Sequence, residues 1–511
     1  MRFVRAVLAG GGVCFFGLVF LVPFMFGHIP EDYEVWILQA IREAQAHLHL
    51  VPFLNSHPIS EVNPLNVLTL SLIPSGDIIF FRLIGVILAL LVSAVVFVFC
   101  ASLWNLKTAL FATLMSITSM GFILTYTTLS GVVIPASLGI ISYLIFCLAY
   151  LKDKKGSWYV FAYLLASLAV ISGGWILLAF FAFSVIVLIF LDLSPAKFAA
   201  IRAVSGIAIL VVFLLGYYLT YRIAGGISFV SHSLSPGSDL RIFASIVLFG
   251  KYSLPWLPLI VPAWIYTARP GDQDAWRKLL PIKIAFVMSL ACLWLSRHCL
   301  GGYAVLGVPF GAILVGYWLG TGMKSYPRFK SLPYSAVLLA GAIALATMFV
   351  VLGAPMFRAG SVGWIEVYIL LGAAGALIAF FLLIRGGRLY WALAISILVM
   401  LGSSWAYSLV YSPYRLETRI EAIQKMAAHT PLVVFEDDLV MRGYLGYIGK
   451  QPVLVSRDIV PLGVQAYLAV TTDDPDDLIE TLNSRMEATL EDSFEDRKVY
   501  TLLKLSPLTL D

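Results

Sequence analysis

The chain has 511 residues, of which 60% are hydrophobic, 14% aromatic and only 12% charged, with a formal net charge of +5 at pH 7. No soluble domain of this size carries so much apolar surface, so the composition excludes a soluble globular enzyme and reads as a polytopic α-helical membrane protein. The basic residues fall in short loops between apolar stretches, which makes the charge a topology signal and argues against a nucleic-acid partner.

A bilayer core needs about twenty apolar residues per helix, and on that ruler the chain predicts about thirteen spans. They lie near 6–27, 79–101, 108–127, 132–151, 158–174, 175–192, 198–221, 241–266, 279–295, 303–322, 333–353, 363–384 and 388–410. The first follows a basic start, Met1-Arg2-Phe3-Val4-Arg5, and lacks a small-residue cleavage site before His28, so it reads as a retained helix. Gly173-Gly174 divides the pair at 158–192 as either a turn or a mid-helix contact. Lys107, the Lys152–Lys155 cluster, Lys197, Arg202, Arg277, Lys278, Lys324 and Arg388 share a side with Arg2 and Arg5. The positive-inside rule therefore puts the N-terminus in the cytoplasm, and an odd span count puts the C-terminal tail outside.

Residues 28–78, between the first two spans, form a polar external segment with an amphipathic helical stretch around Glu34–His47 that suits the membrane surface. The predicted domains are thus a membrane domain over 1–410, including this loop, and a soluble α/β domain over 411–511. Within the tail the pattern predicts helices over 416–428, 439–448 and 476–489, and strands over 431–436, 451–456, 466–472 and 498–505. Cys14, Cys100, Cys147, Cys292 and Cys299 lie in or beside apolar spans, without zinc-type spacing or a disulfide framework.

Several polar residues are candidates for chemistry. Glu31, Asp32, Glu34 and Glu61 in the external loop could serve as general bases or metal ligands, or as ordinary solvated acids. His57 shares that loop with Glu61, which makes the two the candidates for a divalent metal, although scattered histidines are more often structural. Arg82 begins the second span, and Ser296-Arg297-His298 with Tyr303 closes a long apolar helix on the external side. Such cations suit a lipid-linked phosphate, or simply snorkel to the interface. Lys251 and Lys283 fall inside apolar stretches, and Pro255-Trp256-Leu257-Pro258 reads as an interfacial aromatic between helix kinks. There is no phosphate-binding Gly-x-x-x-x-Gly-Lys loop, Gly-x-Ser-x-Gly elbow or His-Glu-x-x-His, which disfavours an ATP-driven pump or a protease of those kinds.

In layout the chain resembles the GT-C glycosyltransferases that use polyprenyl-phosphate sugars, in the bacterial branch of lipid A aminoarabinose transferase and relatives of protein O-mannosyltransferases. The resemblance rests on Glu31-Asp32-Tyr33 with Trp36, on Glu61-Val62-Asn63-Pro64-Leu65, on Val51-Pro52-Phe53-Leu54, on Arg82-Leu83, and on Ser296-Arg297-His298 followed by Tyr303 and Pro309. It implies a transferase of a bacterial inner membrane, moving a sugar from undecaprenyl phosphate to a lipid, glycan or protein acceptor on the periplasmic face, with inversion. Lipid A modification is one such activity. Asp32 would be the catalytic base with Glu31 as its rival, and Glu61 would orient the acceptor or a metal. Arg82, Arg297, His298 and Tyr303 would hold the departing phosphate. The chain departs from the family pattern at Val62, where a lysine is usual, and in Thr125–Ala136, which holds no carboxylate. A catalytically degenerate scaffold, or a flippase for lipid-linked saccharide, therefore stand as alternatives.

Overall fold

The computed structural model describes residues 2–27, 32–46, 53–54, 57–58, 64–73, 78–154, 156–173, 175–192, 203–223, 240–268, 273–295, 303–321, 333–344, 379–385, 387–410, 414–429, 431–435, 438–448, 453–455, 466–472, 487–495 and 499–506, with a few single residues between them. In chain order the elements are α1 (Arg2–Gly27), α2 (Asp32–Ala46), β1 (Phe53–Leu54), β2 (His57–Pro58), α3 (Pro64–Ser71), α4 (Ile78–Leu103), α5 (Leu106–Ile117), α6 (Met120–Tyr126), α7 (Val133–Leu151), α8 (Gly156–Gly173) and α9 (Trp175–Asp192). There follow α10 (Ala203–Ile223), α11 (Leu240–Ser253), α12 (Leu257–Ala268), α13 (Gln273–Leu295), a 3-10 turn (Ala304–Gly307) and α14 (Val308–Gly320). Next come α15 (Pro333–Ala344), α16 (Leu389–Val410), α17 (Tyr414–Met426), β3 (Leu432–Phe435), α18 (Leu439–Tyr447), β4 (Val453–Val455), β5 (Ala466–Thr472), β6 (Glu487–Glu495) and β7 (Val499–Ser506).

The chain forms two compact units: Met1–His28 with Ile79–Tyr411, and Ile29–Ile78 with Ser412–Asp511. The first external segment, grouped by sequence with the membrane domain, therefore belongs by its contacts with the tail. The reason lies in α2. Its apolar stripe, Val35, Ile37, Leu38, Ala40 and Ile41, is buried, and Val35 shares a core with Met426 of α17, Val434 of β3, Met441 and Tyr444 of α18, and Leu502 of β7. The stripe expected to lie along the membrane surface is instead covered by protein.

The first unit is a membrane domain. Among the described residues three helices are long and apolar enough to cross a bilayer, or up to five when each of two bent pairs is taken as one span. Several shorter apolar helices accompany them, including α8, which ends at Gly173, and α9, which begins at Trp175. Of the predicted span over 363–384, residues 363–378 lie outside the described residues while 379–384 are helical, and most of 345–353 lies outside them too. Helix α14 packs along α5 through the Gly316-x-x-x-Gly320 spacing, where a Cβ at Gly316 would meet the Ala112 nitrogen at 2.6 Å. Where lipid is as apolar as the side chains, such close backbone approach supplies the packing that holds helices together.

Two predicted spans are broken rather than continuous. Helices α5 and α6 meet at 56°, and α11 and α12 at 102°. Ser119 starts α6 by accepting the Phe122 N–H on its hydroxyl, and Pro255, in a cis peptide bond with Leu254, stands in the second break. Asn105 caps α5 by accepting the Thr108 N–H at 2.8 Å.

The second unit is built on a five-stranded sheet of order β4-β3-β5-β7-β6. β3 pairs in parallel with β4 and β5, while β7 runs antiparallel to β5 and β6. The helix predicted over 476–489 overlaps the start of β6, a strand the pattern did not reveal, and its end is corrected accordingly. β6 is an acidic edge strand with a register shift between Leu490 and Asp492, and its pairing with β7 outweighs the weak strand propensity of Glu, Asp and Ser.

Candidate functional site

The predicted site residues fall into both units. In the second, Asp32 is the first residue of α2, a position where the helix dipole favours an ionised carboxylate. Glu31 and Glu61 lie outside the described residues, as does the side chain of Asp32. Glu34, in the first turn of α2, is fully buried. His57 lies on β2 opposite Leu54 of β1. Among the described residues no three His, Cys, Asp or Glu side chains come together as a metal site.

Helix α18 organises this unit. Asp438 is buried and caps α18, its Oδ1 accepting the Met441 N–H at 3.0 Å, while its Oδ2 accepts the Thr471 N–H of β5 at 2.7 Å. Asp438 thus fills the space at the carboxyl ends of β3 and β5, where the strand order reverses and an open α/β sheet would ordinarily receive a ligand. One turn further on, the buried Arg442 donates from Nη2 to the Leu54 carbonyl.

In the membrane unit, Arg82 and Tyr303 are both described and both buried. Arg82 donates from Nη1 to the Met25 carbonyl at 2.9 Å, in the last turn of α1. A guanidinium suits the negative end of a helix. Gly85, nearly one turn further along α4, lies so close to the end of α6 that a Cβ there would collide with the Tyr126 carbonyl oxygen. Tyr303 caps the 3-10 turn, which also packs against α6. Arg82 and Tyr303 therefore sit on elements that share α6 as a neighbour. Arg297 and His298 lie outside the described residues.

The sequence missed what joins the two broken spans. The Met120 N–H donates to the Leu254 carbonyl at 2.8 Å, and Trp256 Nε1 donates to Thr118 Oγ1 at 2.9 Å. Trp256, read as interfacial, is 3% exposed. Its ring is a core element whose one polar atom reaches a buried hydroxyl. Nearby, Ser137 Oγ donates to Tyr126 Oη at 3.2 Å. Thr125 Oγ1 and Ser253 Oγ are buried without a hydrogen-bond partner among the described residues. The signal for this junction was slight, because Thr118-Ser119 and Pro255 are only a polar pair and a proline inside apolar runs. Lys283, ambiguous in sequence, is buried between Trp264 and Trp276, with Nζ 5.2 and 4.7 Å from the ring centroids and donating to the Thr267 carbonyl at the end of α12. It is a helix-end anchor. Lys251 is exposed.

No protein-family profile and no curated protein sequence matches the chain. Solved structures do. ArnT from Cupriavidus metallidurans bound to undecaprenyl phosphate superposes with a TM-score of 0.69 at 17% identity, covering 97% of each chain. The apo state of the same protein gives 0.69 at 16% identity, covering 98% of each. The apo Archaeoglobus fulgidus oligosaccharyltransferase gives a TM-score of 0.48 at 12% identity over 88% of this chain and 64% of that one. The ArnT likeness runs through both units, and it fixes the architecture: the chain has a GT-C fold resembling that of ArnT.

Proposed function

We propose that the protein is a membrane glycosyltransferase that moves a sugar from a polyprenyl phosphate, undecaprenyl phosphate in a bacterial inner membrane, to a hydroxyl or amine of a lipid, glycan or protein on the periplasmic face. The observation that carries this reading is the ArnT-like fold over 97% of both chains, since that ArnT was solved bound to undecaprenyl phosphate. The N-terminus is then cytoplasmic, with the second unit outside.

In this reading Asp32, at the start of α2 where the helix dipole favours the carboxylate, takes the proton of the acceptor as its oxygen or nitrogen attacks the anomeric carbon. The carbon–oxygen bond to phosphate breaks with inversion, and the lipid phosphate leaves with the electron pair. Glu31 is the rival base. Glu61 orients the acceptor, or would join His57 in holding a divalent ion. Arg82, Arg297 and His298 offset the charge of the departing phosphate, and Tyr303 donates a hydrogen bond to it.

The test is to incubate the purified protein with a panel of polyprenyl-phosphate sugars and measure release of the lipid phosphate. Release from one donor that Asp32→Asn abolishes supports the reading and names the sugar. If Asp32→Asn and Glu31→Gln both keep full activity, the base assignment is wrong. A second reading, transport of a lipid-linked saccharide, is favoured by the two broken spans, because many transporters build their substrate sites from discontinuous helices. It predicts saturable binding without donor consumption.

A further inference from the structure

We propose that Arg442 is a positioning residue that docks the acidic first loop onto the C-terminal domain, so that this domain sets the placement of the proposed base. This rests on the transferase reading above. Four observations support it. First, the loop and the tail form one unit with one core, Val35 of α2 packing among residues of α17, α18, β3 and β7. Second, α18 is tied to the sheet without Arg442, through the bond that its cap residue Asp438 accepts from Thr471 of β5. Third, Arg442, 3% exposed, donates across the chain to the Leu54 carbonyl of the β1–β2 hairpin, opposite which stands His57. Fourth, Glu34, two residues after the proposed base, is fully buried on the helix that packs against α18.

The physical logic runs from β5 outward. Asp438 fixes the start of α18 against the sheet, α18 carries Arg442 one turn later, and Arg442 fixes the backbone of the loop. A guanidinium is suited to this work: it is always charged, planar and rigidly forked, so a main-chain oxygen bound to it has little freedom to shift. A base must be held close to its productive geometry, and a displacement of about 1 Å from a change remote from the chemistry costs about 100-fold in rate.

The test uses the full-length protein in detergent micelles, with Arg442→Met and Arg442→Lys. Amide hydrogen exchange is measured over 32–46 and 53–58, and over the strands 432–435 and 466–472. Turnover is measured with the polyprenyl-phosphate sugar that the wild type consumes. We expect Arg442→Met to speed exchange in the loop segments and leave the strands protected, and to lower kcat about 100-fold with little change in KM. Arg442→Lys, which keeps one charged donor, should restore part of both. Unchanged exchange in the loop, or protection lost equally from the strands, overturns the docking role, as does faster loop exchange with unchanged kcat. A wild type that consumes no donor would overturn the transferase reading, and the exchange result alone would then uphold or overturn the docking role.

Discussion

Gly85 offers a direct test of how the membrane unit is assembled. It stands on α4 with its α-carbon against the backbone at the end of α6, and a Cβ there would collide with the Tyr126 carbonyl oxygen. Ordinary contact begins at 3.4 Å, so Gly85→Ala forces the two helices apart by about 1 Å, which forfeits about a quarter to a half of the dispersion attraction along the seam. Overpacking against backbone costs about 1–3 kcal/mol. The same movement carries Arg82 away from the Met25 carbonyl, now at 2.9 Å, and a bond from a charged donor contributes about 1.5–3 kcal/mol. Alanine's better helix propensity returns about 1 kcal/mol, leaving a net loss of about 1.5–5 kcal/mol. The assay is the melting midpoint of the detergent-solubilised protein, with Gly11→Ala as control, because a Cβ at Gly11 meets nothing within 4 Å. Gly85→Ala should melt well below wild type and Gly11→Ala at or above it. A Gly85→Ala protein melting with the wild type would refute the close approach of α4 and α6.

Three other substitutions follow from the same structure. Asp438→Ala removes the cap of α18 and the acceptor for Thr471; together these cost about 2–4 kcal/mol, to be read as faster amide exchange at Met441 and Thr471, with Asp438→Asn losing less because one acceptor oxygen is kept. Trp256→Phe leaves the indole's hydrogen bond to Thr118 unmade and a small void between the broken spans; we expect a loss of about 1–3 kcal/mol, measured as a lower melting midpoint, and a Trp256→Phe protein as stable as wild type would count against the bond. Lys283→Ala should cost about 2–4 kcal/mol by opening a cavity between two indoles, whereas Lys283→Met, of similar volume, should recover most of it; equal midpoints for the two would show that packing around Lys283 contributes little.

Much of this molecule is determined by its sequence because lipid is a severe solvent. A bilayer demands long apolar helices, so α1, α4 and α7 announce themselves by length and hydropathy alone. The tail's alternating helix and strand signals likewise mark β3, α18 and β5. Asp32 was legible as an acid of the external loop, although not as the first residue of α2.

What tertiary structure decided is of another kind. The partner of α2 could not be read from its amphipathic stripe, because a stripe says only that it must be covered, and membrane surface and protein cover it equally well. Val35 met a core drawn from the far end of the chain, from Ile423 to Leu502. Arg442 and Leu54 carry no local signal for each other, since a main-chain carbonyl looks the same at every residue. The breaks at Thr118-Ser119 and Leu254-Pro255 support one another by hydrogen bonds between two spans, so neither sequence segment alone reveals them. β6 is a strand only because β7 lies beside it. Hydropathy and periodicity determine which surfaces must be buried; long-range packing and hydrogen bonding determine against what.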